Sequence, residues 1–135
     1  MPGNCLILMV KCPTRGSVKK RLSLTIGETH AAEIYSRGVL DLLDGLEKLT
    51  SGPDLDLIIG FHPPRDRDYI DAWLGSGRVK IPQKGNDLGE KQALLLKAGF
   101  DLGYSAVCVM ASDLPDLPAD RVFTAFEKLR QYDCV

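Results

Sequence analysis

Residues 4–10, Asn-Cys-Leu-Ile-Leu-Met-Val, form a short, continuous apolar run that stops abruptly at a loop dense with positive charge. A run of this length without polar alternation is the pattern of a strand buried on both faces, and such a strand requires helices packed on each side of its sheet. The loop from Lys11 to Arg21 carries five basic side chains, Lys11, Arg15, Lys19, Lys20 and Arg21, and no acidic one. Pro13 and Gly16 keep it close to the strand end without bulky side chains. In open α/β proteins ligands gather beyond the carboxyl ends of the strands, phosphates above all. The opening segment therefore points to a phosphate-rich small molecule.

The rest of the chain repeats the alternation. Ser17 is placed to cap one helical turn through Leu22. Thr25 and Glu28 have capping-box spacing, and a long helix is predicted from there to about Leu49. Its apolar residues Ala32, Tyr35, Val39, Leu42, Leu43 and Leu46 recur at three- and four-residue steps along one face. Gly52-Pro53 interrupts the chain. Leu55–Gly60 reads as a second strand, His62-Pro-Pro64 as a turn, and Arg67–Leu74 as a short helix ended by Gly75. Val79–Ile81 reads as a third strand and Leu88–Leu102 as a helix stopped by Gly103. Ala106–Ala111 is a fourth, wholly apolar strand, and a last helix is predicted over Ala119–Gln131, with Pro118 and Asp120 suited to its start.

Strands separated by helices pair in parallel. The expected fold is a three-layer α/β sandwich around a mostly parallel sheet, in a single domain spanning residues 1–135. The polar loops at 11–21, 83–87 and 112–116 all follow strands, so a parallel sheet places them on one rim. Tyr132-Asp-Cys-Val135 reads as the opening of a further strand, so the expectation is a naturally short protein or, favoured over that, a fragment or truncated form of a longer one.

With a formal net charge of −1, the basic cluster is a local site and not a coat for nucleic acid. No apolar run approaches the ~18 residues that span a bilayer, and a cytoplasmic protein is expected. The four cysteines contain no C-x-x-C pair, and the two histidines, His30 and His62, lie far apart, so a zinc site is not expected. Cys5 and Cys108 fall within strands as small buried hydrophobes. Cys12 lies in the basic loop, where cations lower a thiol pKa, but it lacks a neighbouring base in sequence. His62 reads as a turn residue before it reads as a general base.

Three segments carry candidate chemistry. The basic side chains can ring a diphosphate through short, charge-assisted hydrogen bonds. Asp113 of Ser112-Asp-Leu-Pro115 follows a strand end, where a carboxylate can hold Mg²⁺ or Mn²⁺ against phosphates or simply close an Asx-turn. Asp116 reads equally as a turn or cap residue. In Gln83-Lys-Gly-Asn-Asp87, Gly85 and Asn86 can contact a base or sugar, while Asn86 or Asp87 can cap the next helix.

Taken in order, Lys11-x-Pro13-x-x-Gly16-x-Val18-Lys19-x-Arg21-Leu22, Gly85-x-x-Leu88-Gly89-Glu90 and Ser112-Asp113-x-Pro115-x-Leu117 resemble the small GT-A-type glycosyltransferases of the arsenosugar-biosynthesis type. These belong with the nucleotide-diphospho-sugar transferases. The resemblance implies a Rossmann-like GT-A sheet, here without its C-terminal part, a nucleotide-diphospho-sugar donor, a divalent cation and glycosyl transfer to an acceptor. It places Lys11, Pro13, Gly16, Lys19 and Arg21 toward the donor phosphates and Gly85 and Asn86 toward the nucleotide. Ser112 falls beside the diphosphate, and Asp113 at the metal position. Lys20 stands where the family usually has Thr, and Lys91 where Arg is common, so positive charge is kept or added. The glycine- and aromatic-rich segment that helps form the family's acceptor side lies beyond Val135. Two rival readings use the same architecture: a nucleotidyltransferase, and a nucleotide-binding domain without catalysis. An oligomer that completes its sheet across subunits follows from the unpaired final strand.

Overall fold

The computed structural model describes residues 3–14, 18–50, 54–113 and 119–135. The apolar runs become strands β1 (Asn4–Lys11), β2 (Leu55–His62), β3 (Lys80–Pro82) and β4 (Ala106–Ala111). They form one sheet in the order β3-β2-β1-β4, with every pairing parallel. The helices are α1 (Lys20–Ile26), α2 (Glu28–Leu49), α3 (Arg67–Leu74), α4 (Leu88–Asp101) and α5 (Ala119–Leu129), and a 3₁₀ turn spans Pro64–Asp66. This is the expected three-layer, Rossmann-like α/β sandwich.

Strand periodicity divides the core. Leu6, Leu8 and Val10 of β1, with Ile59 and Phe61 of β2, face one side, where Tyr35, Val39 and Leu43 of α2, Ile70 and Leu74 of α3, and Val122 and Phe126 of α5 cover them. Cys5 and Ile7 of β1, Ile58 of β2 and Val107 of β4 face the other side and meet Leu95 of α4. A continuous apolar run is thus a period-two strand buried twice.

The structure corrects several sequence expectations. Thr25 lies inside α1, which runs past Leu22 to Ile26; Gly27, at φ 89°, is the residue that precedes α2, and no side chain caps either helix. A positive φ is cheap for glycine, and it separates the two helices where the capping-box spacing placed a single start. The buried stripe of α2 contains Ala31, with Ala32 half-buried beside it. Strand β2 continues through Phe61 to His62 because both residues pair with β1, and Phe61 also pairs with Pro82. Strand β3 begins at Lys80, leaving Val79 exposed. Residues 132–135 form no strand and are exposed. Cys108 is half-buried, whereas Cys5 is wholly enclosed. The expectations on Arg15, Gly16, Ser17, Gly52-Pro53, Asp116 and Pro118 lie outside the described residues.

Candidate functional site

Because all strands run in one direction, β1, β2, β3 and β4 end on the same rim. The rim is braced from below. The backbone N–H of Lys11 donates to Tyr35 Oη at 2.9 Å, and Tyr35 Oη shares a 2.8 Å hydrogen bond with Ser112 Oγ. One α2 side chain therefore ties the end of β1 to the residue after β4. Gln83, 7% exposed, donates from Nε2 to the carbonyls of Val10 and Gly60 at 3.1 and 2.8 Å. Its N–H reaches Phe61 O at 2.7 Å. These bonds lock the loop after β3 onto β1 and β2. Gln83 carried no sign of this role in sequence, since a single amide after a strand is common and its partners lie far away along the chain.

Val18 inserts into the core and anchors the basic loop, and Pro13 is buried as well. Lys19 adopts the left-handed conformation, with φ 45° and ψ 51°, and its ammonium pairs with Asp113 Oδ1. That conformation costs a non-glycine residue about 1–2 kcal/mol. Asp113 stays exposed, and its Oδ2 has no hydrogen-bond partner among the described residues. Ser112 is held by Tyr35. Arg21 is exposed on α1, with no ion pair to the others among the described residues.

Lys11 is flanked by Lys20 and Lys91. Burial, followed by the charges of these two lysines, lowers the Lys11 pKa from its ordinary value. Packing explains how Lys91 arrives there. A Cβ on Gly60 would lie 3.0 Å from both Leu95 Cδ atoms, so the glycine lets α4 settle against β1 and β2. Lys91, one turn before Leu95 on the same face of α4, is thereby within electrostatic reach of Lys11 and His62 at the strand ends. Lys11 and His62 form the last pair of the β1–β2 ladder. His62 is the group that sequence reasoning set aside as a turn residue. Its signal was its place directly after an apolar strand.

The loop before α4 shows which of its residues caps the helix. Asp87 caps α4, its Oδ1 accepting from Glu90 N at 2.8 Å, and Asn86 is exposed and free of that duty. Gly85 has φ 120°, and a Cβ there would lie 2.9 Å from Glu90 Cγ and 3.1 Å from the backbone N of Lys91. The glycine is therefore set by helix packing as well as by backbone conformation.

The loop's cations do not activate Cys12. Its thiol is pushed up to about 11 by burial first and then by Asp66, with Arg65 opposing only in part. At 1% exposure it is a core residue and not a nucleophile.

Among the described residues, no three His, Cys, Asp or Glu side chains converge on one point. A cation at Asp113 would take that carboxylate and complete its shell with oxygen ligands such as phosphate and water, a donor set that suits Mg²⁺ or Mn²⁺. A groove of about 680 Å³ lies elsewhere, along β4 between α4 and α5, lined by Leu96, Phe100, Met110, Val122 and Tyr132 among others. It is more apolar than the rim and holds none of the lysines named above. Among the described residues, no helix is long and apolar enough to cross a membrane.

Residues 45–135 match the family DUF2064, described as an uncharacterized protein conserved in bacteria. The chain belongs to this family. Over 98% of its length the DUF2064 chain also superposes on a crystal structure from Desulfovibrio desulfuricans G20, with a TM-score of 0.88 and 36% sequence identity. The name of that protein assigns it, provisionally, as a nucleotide-diphospho-sugar transferase. The DUF2064 chain spans 56% of the length of that neighbour. No curated protein matches it.

Proposed function

We propose that this rim binds the diphosphate of a nucleotide-diphospho-sugar and that the protein serves glycosyl transfer, in the manner of the small GT-A-type, arsenosugar-biosynthesis-type enzymes its motifs resemble. The observation that carries the reading is the convergence of Lys11, Lys20 and Lys91 beside an exposed Asp113 at the carboxyl ends of an all-parallel sheet. The likeness to the Desulfovibrio protein, and what that protein's name assigns it, supports the same reading.

In this reading Lys11, Lys20 and Lys91 offset the charge that grows on the departing diphosphate as the glycosyl bond breaks. Tyr35 and Gln83 hold the strand ends that present these groups. Lys19 orients the Asp113 carboxylate until donor arrives. A divalent cation at Asp113 would add Lewis-acid stabilisation of the same leaving group. Asn86, on the neighbouring loop, faces the nucleoside.

The test is thermal unfolding against nucleoside diphosphates, nucleotide sugars and nucleoside triphosphates, each with and without Mn²⁺. A ligand at about 100 times its dissociation constant adds ~2.7 kcal/mol, which for a domain of this size is a shift of about 5–10 °C. A Mn²⁺-dependent shift with diphosphate sugars that disappears in Asp113→Ala is the expected result. A shift with triphosphates alone would favour a nucleotidyltransferase, and no shift with any ligand would overturn the site.

A further inference from the structure

The α4 side of the sheet ends in a cluster of which the donor motifs include only Lys11. Ile58, Gly60 and His62 lie on one face of β2, and Ile7, Met9 and Lys11 on the matching face of β1. Beyond the apolar part of this face, Lys11 and His62 stand side by side within electrostatic reach of Lys91. Four charged groups act on the His62 ring: Lys91 from α4, Lys11 from β1, and Arg65 and Asp66 from the 3₁₀ turn. Three are cationic, and none of those three has an ion-pair partner among the described residues. Burial comes first and these cations second in lowering the His62 pKa from its ordinary value. Its Nδ1 is shielded from solvent without a hydrogen-bond partner among the described residues. A buried polar atom left unsatisfied costs about 1–3 kcal/mol, and such a group calls for a reason beyond the fold.

We propose that His62 is a binding residue of this anion site, donating a hydrogen bond from Nε2–H to an oxygen of the bound diphosphate beside Lys11 and Lys91. The inference rests on the diphosphate reading above and adds to it an imidazole donor on the β2 side, opposite the Lys19–Asp113 pair. When the ring carries a single proton, on Nε2, the shielded Nδ1 keeps a lone pair in a cationic field. That field favours this tautomer.

The test compares wild type, His62→Gln and His62→Leu by calorimetric titration with inorganic pyrophosphate at fixed Mg²⁺, and by thermal unfolding without ligand. Glutamine carries an amide N–H near the position of Nε2, and leucine fills the space with no polar atom. Wild type and His62→Gln should bind within about threefold of each other, and His62→Leu about tenfold more weakly, the size of one hydrogen bond to a charged group. Ligand-free His62→Leu should melt at or above the wild-type temperature, because it removes a polar atom that has no partner. A purely structural histidine would move stability and binding downward together. Wild-type affinity in His62→Leu, or equal weakening in both variants, overturns the role of His62 while leaving the diphosphate site standing. Failure of the wild type to bind pyrophosphate or any nucleotide overturns both.

Discussion

Two lysine–aspartate pairs in this molecule share a chemistry and differ in everything around it. Lys80, at the start of β3, has a side chain only 1% exposed, and its ammonium reaches Asp71 Oδ1 at 2.8 Å and the carbonyls of Gly75 and Arg78. The ammonium donates to two carbonyls and pairs with one carboxylate, and the group ties the end of α3 to the edge strand. Lys19 and Asp113 are 26% and 61% exposed, with one contact between them. One carboxylate oxygen has no partner among the described residues, and the lysine backbone is strained. A saturated pair is structure. An exposed pair with a single contact, on a rim rich in like charge, is the one the proposed diphosphate and cation would engage.

The largest effect that can break this comparison is on the buried pair. Asp71→Ala strands the enclosed Lys80 ammonium, and removing one partner of a buried pair costs on the order of 3 kcal/mol. Urea unfolding should show that loss with no change in nucleotide affinity beyond what reduced folding explains. Gly85→Ala comes next. It forces a side chain to φ 120° and against the backbone of Lys91, so a loss of about 1–3 kcal/mol is expected, together with weaker diphosphate binding as Lys91 shifts. Full stability in Gly85→Ala would show that the loop relaxes freely and does not fix Lys91.

Tyr35→Phe tests the brace beneath the open pair. It leaves the Lys11 N–H and the buried Ser112 hydroxyl without their shared partner, at a cost of about 1–2 kcal/mol in thermal or urea unfolding. A smaller effect comes from pH. His62 titrates near 6.5 when unfolded and lower when folded, so between those values the unfolded chain holds more protons. Its contribution is fully present above 6.5 and is lost as pH falls through the folded value. His62→Gln should flatten that part of the stability profile, and an unchanged profile would mean that the ring is not in the field of Lys11, Lys91 and Arg65.

What was legible in the sequence is what local pattern dictates. The four strands follow from apolar runs, α3 from an amphipathic stretch closed by Gly75, and the shared rim from parallel topology alone. The end of β2 was not legible, because Phe61 and His62 are recruited by pairing partners far away along the chain. The company kept by Lys91 and His62 was not legible for a similar reason. Their meeting with Lys11 depends on the absence of a side chain at Gly60, which lets Leu95 and its helix come close. The Cys12 environment ran against its sequence neighbours, since the thiol turns into the core and toward Asp66 while the loop's lysines surround the rim. Charge in sequence gave the sign of the site, and packing chose its members.

The smallest stability effect is the most informative. Asp113→Ala should leave unfolding within about 0.5 kcal/mol of wild type, because an exposed pair with one contact contributes little and Lys19 regains full hydration. The same substitution should abolish the Mn²⁺-dependent part of nucleotide-sugar binding. Set beside Asp71→Ala, it separates the two pairs along independent axes, one moving stability and the other moving ligand. A loss of stability in Asp113→Ala as large as that in Asp71→Ala would mean that the open carboxylate is held for the fold. The strained Lys19 would then have a structural reason, and the rim would lose its candidate metal position.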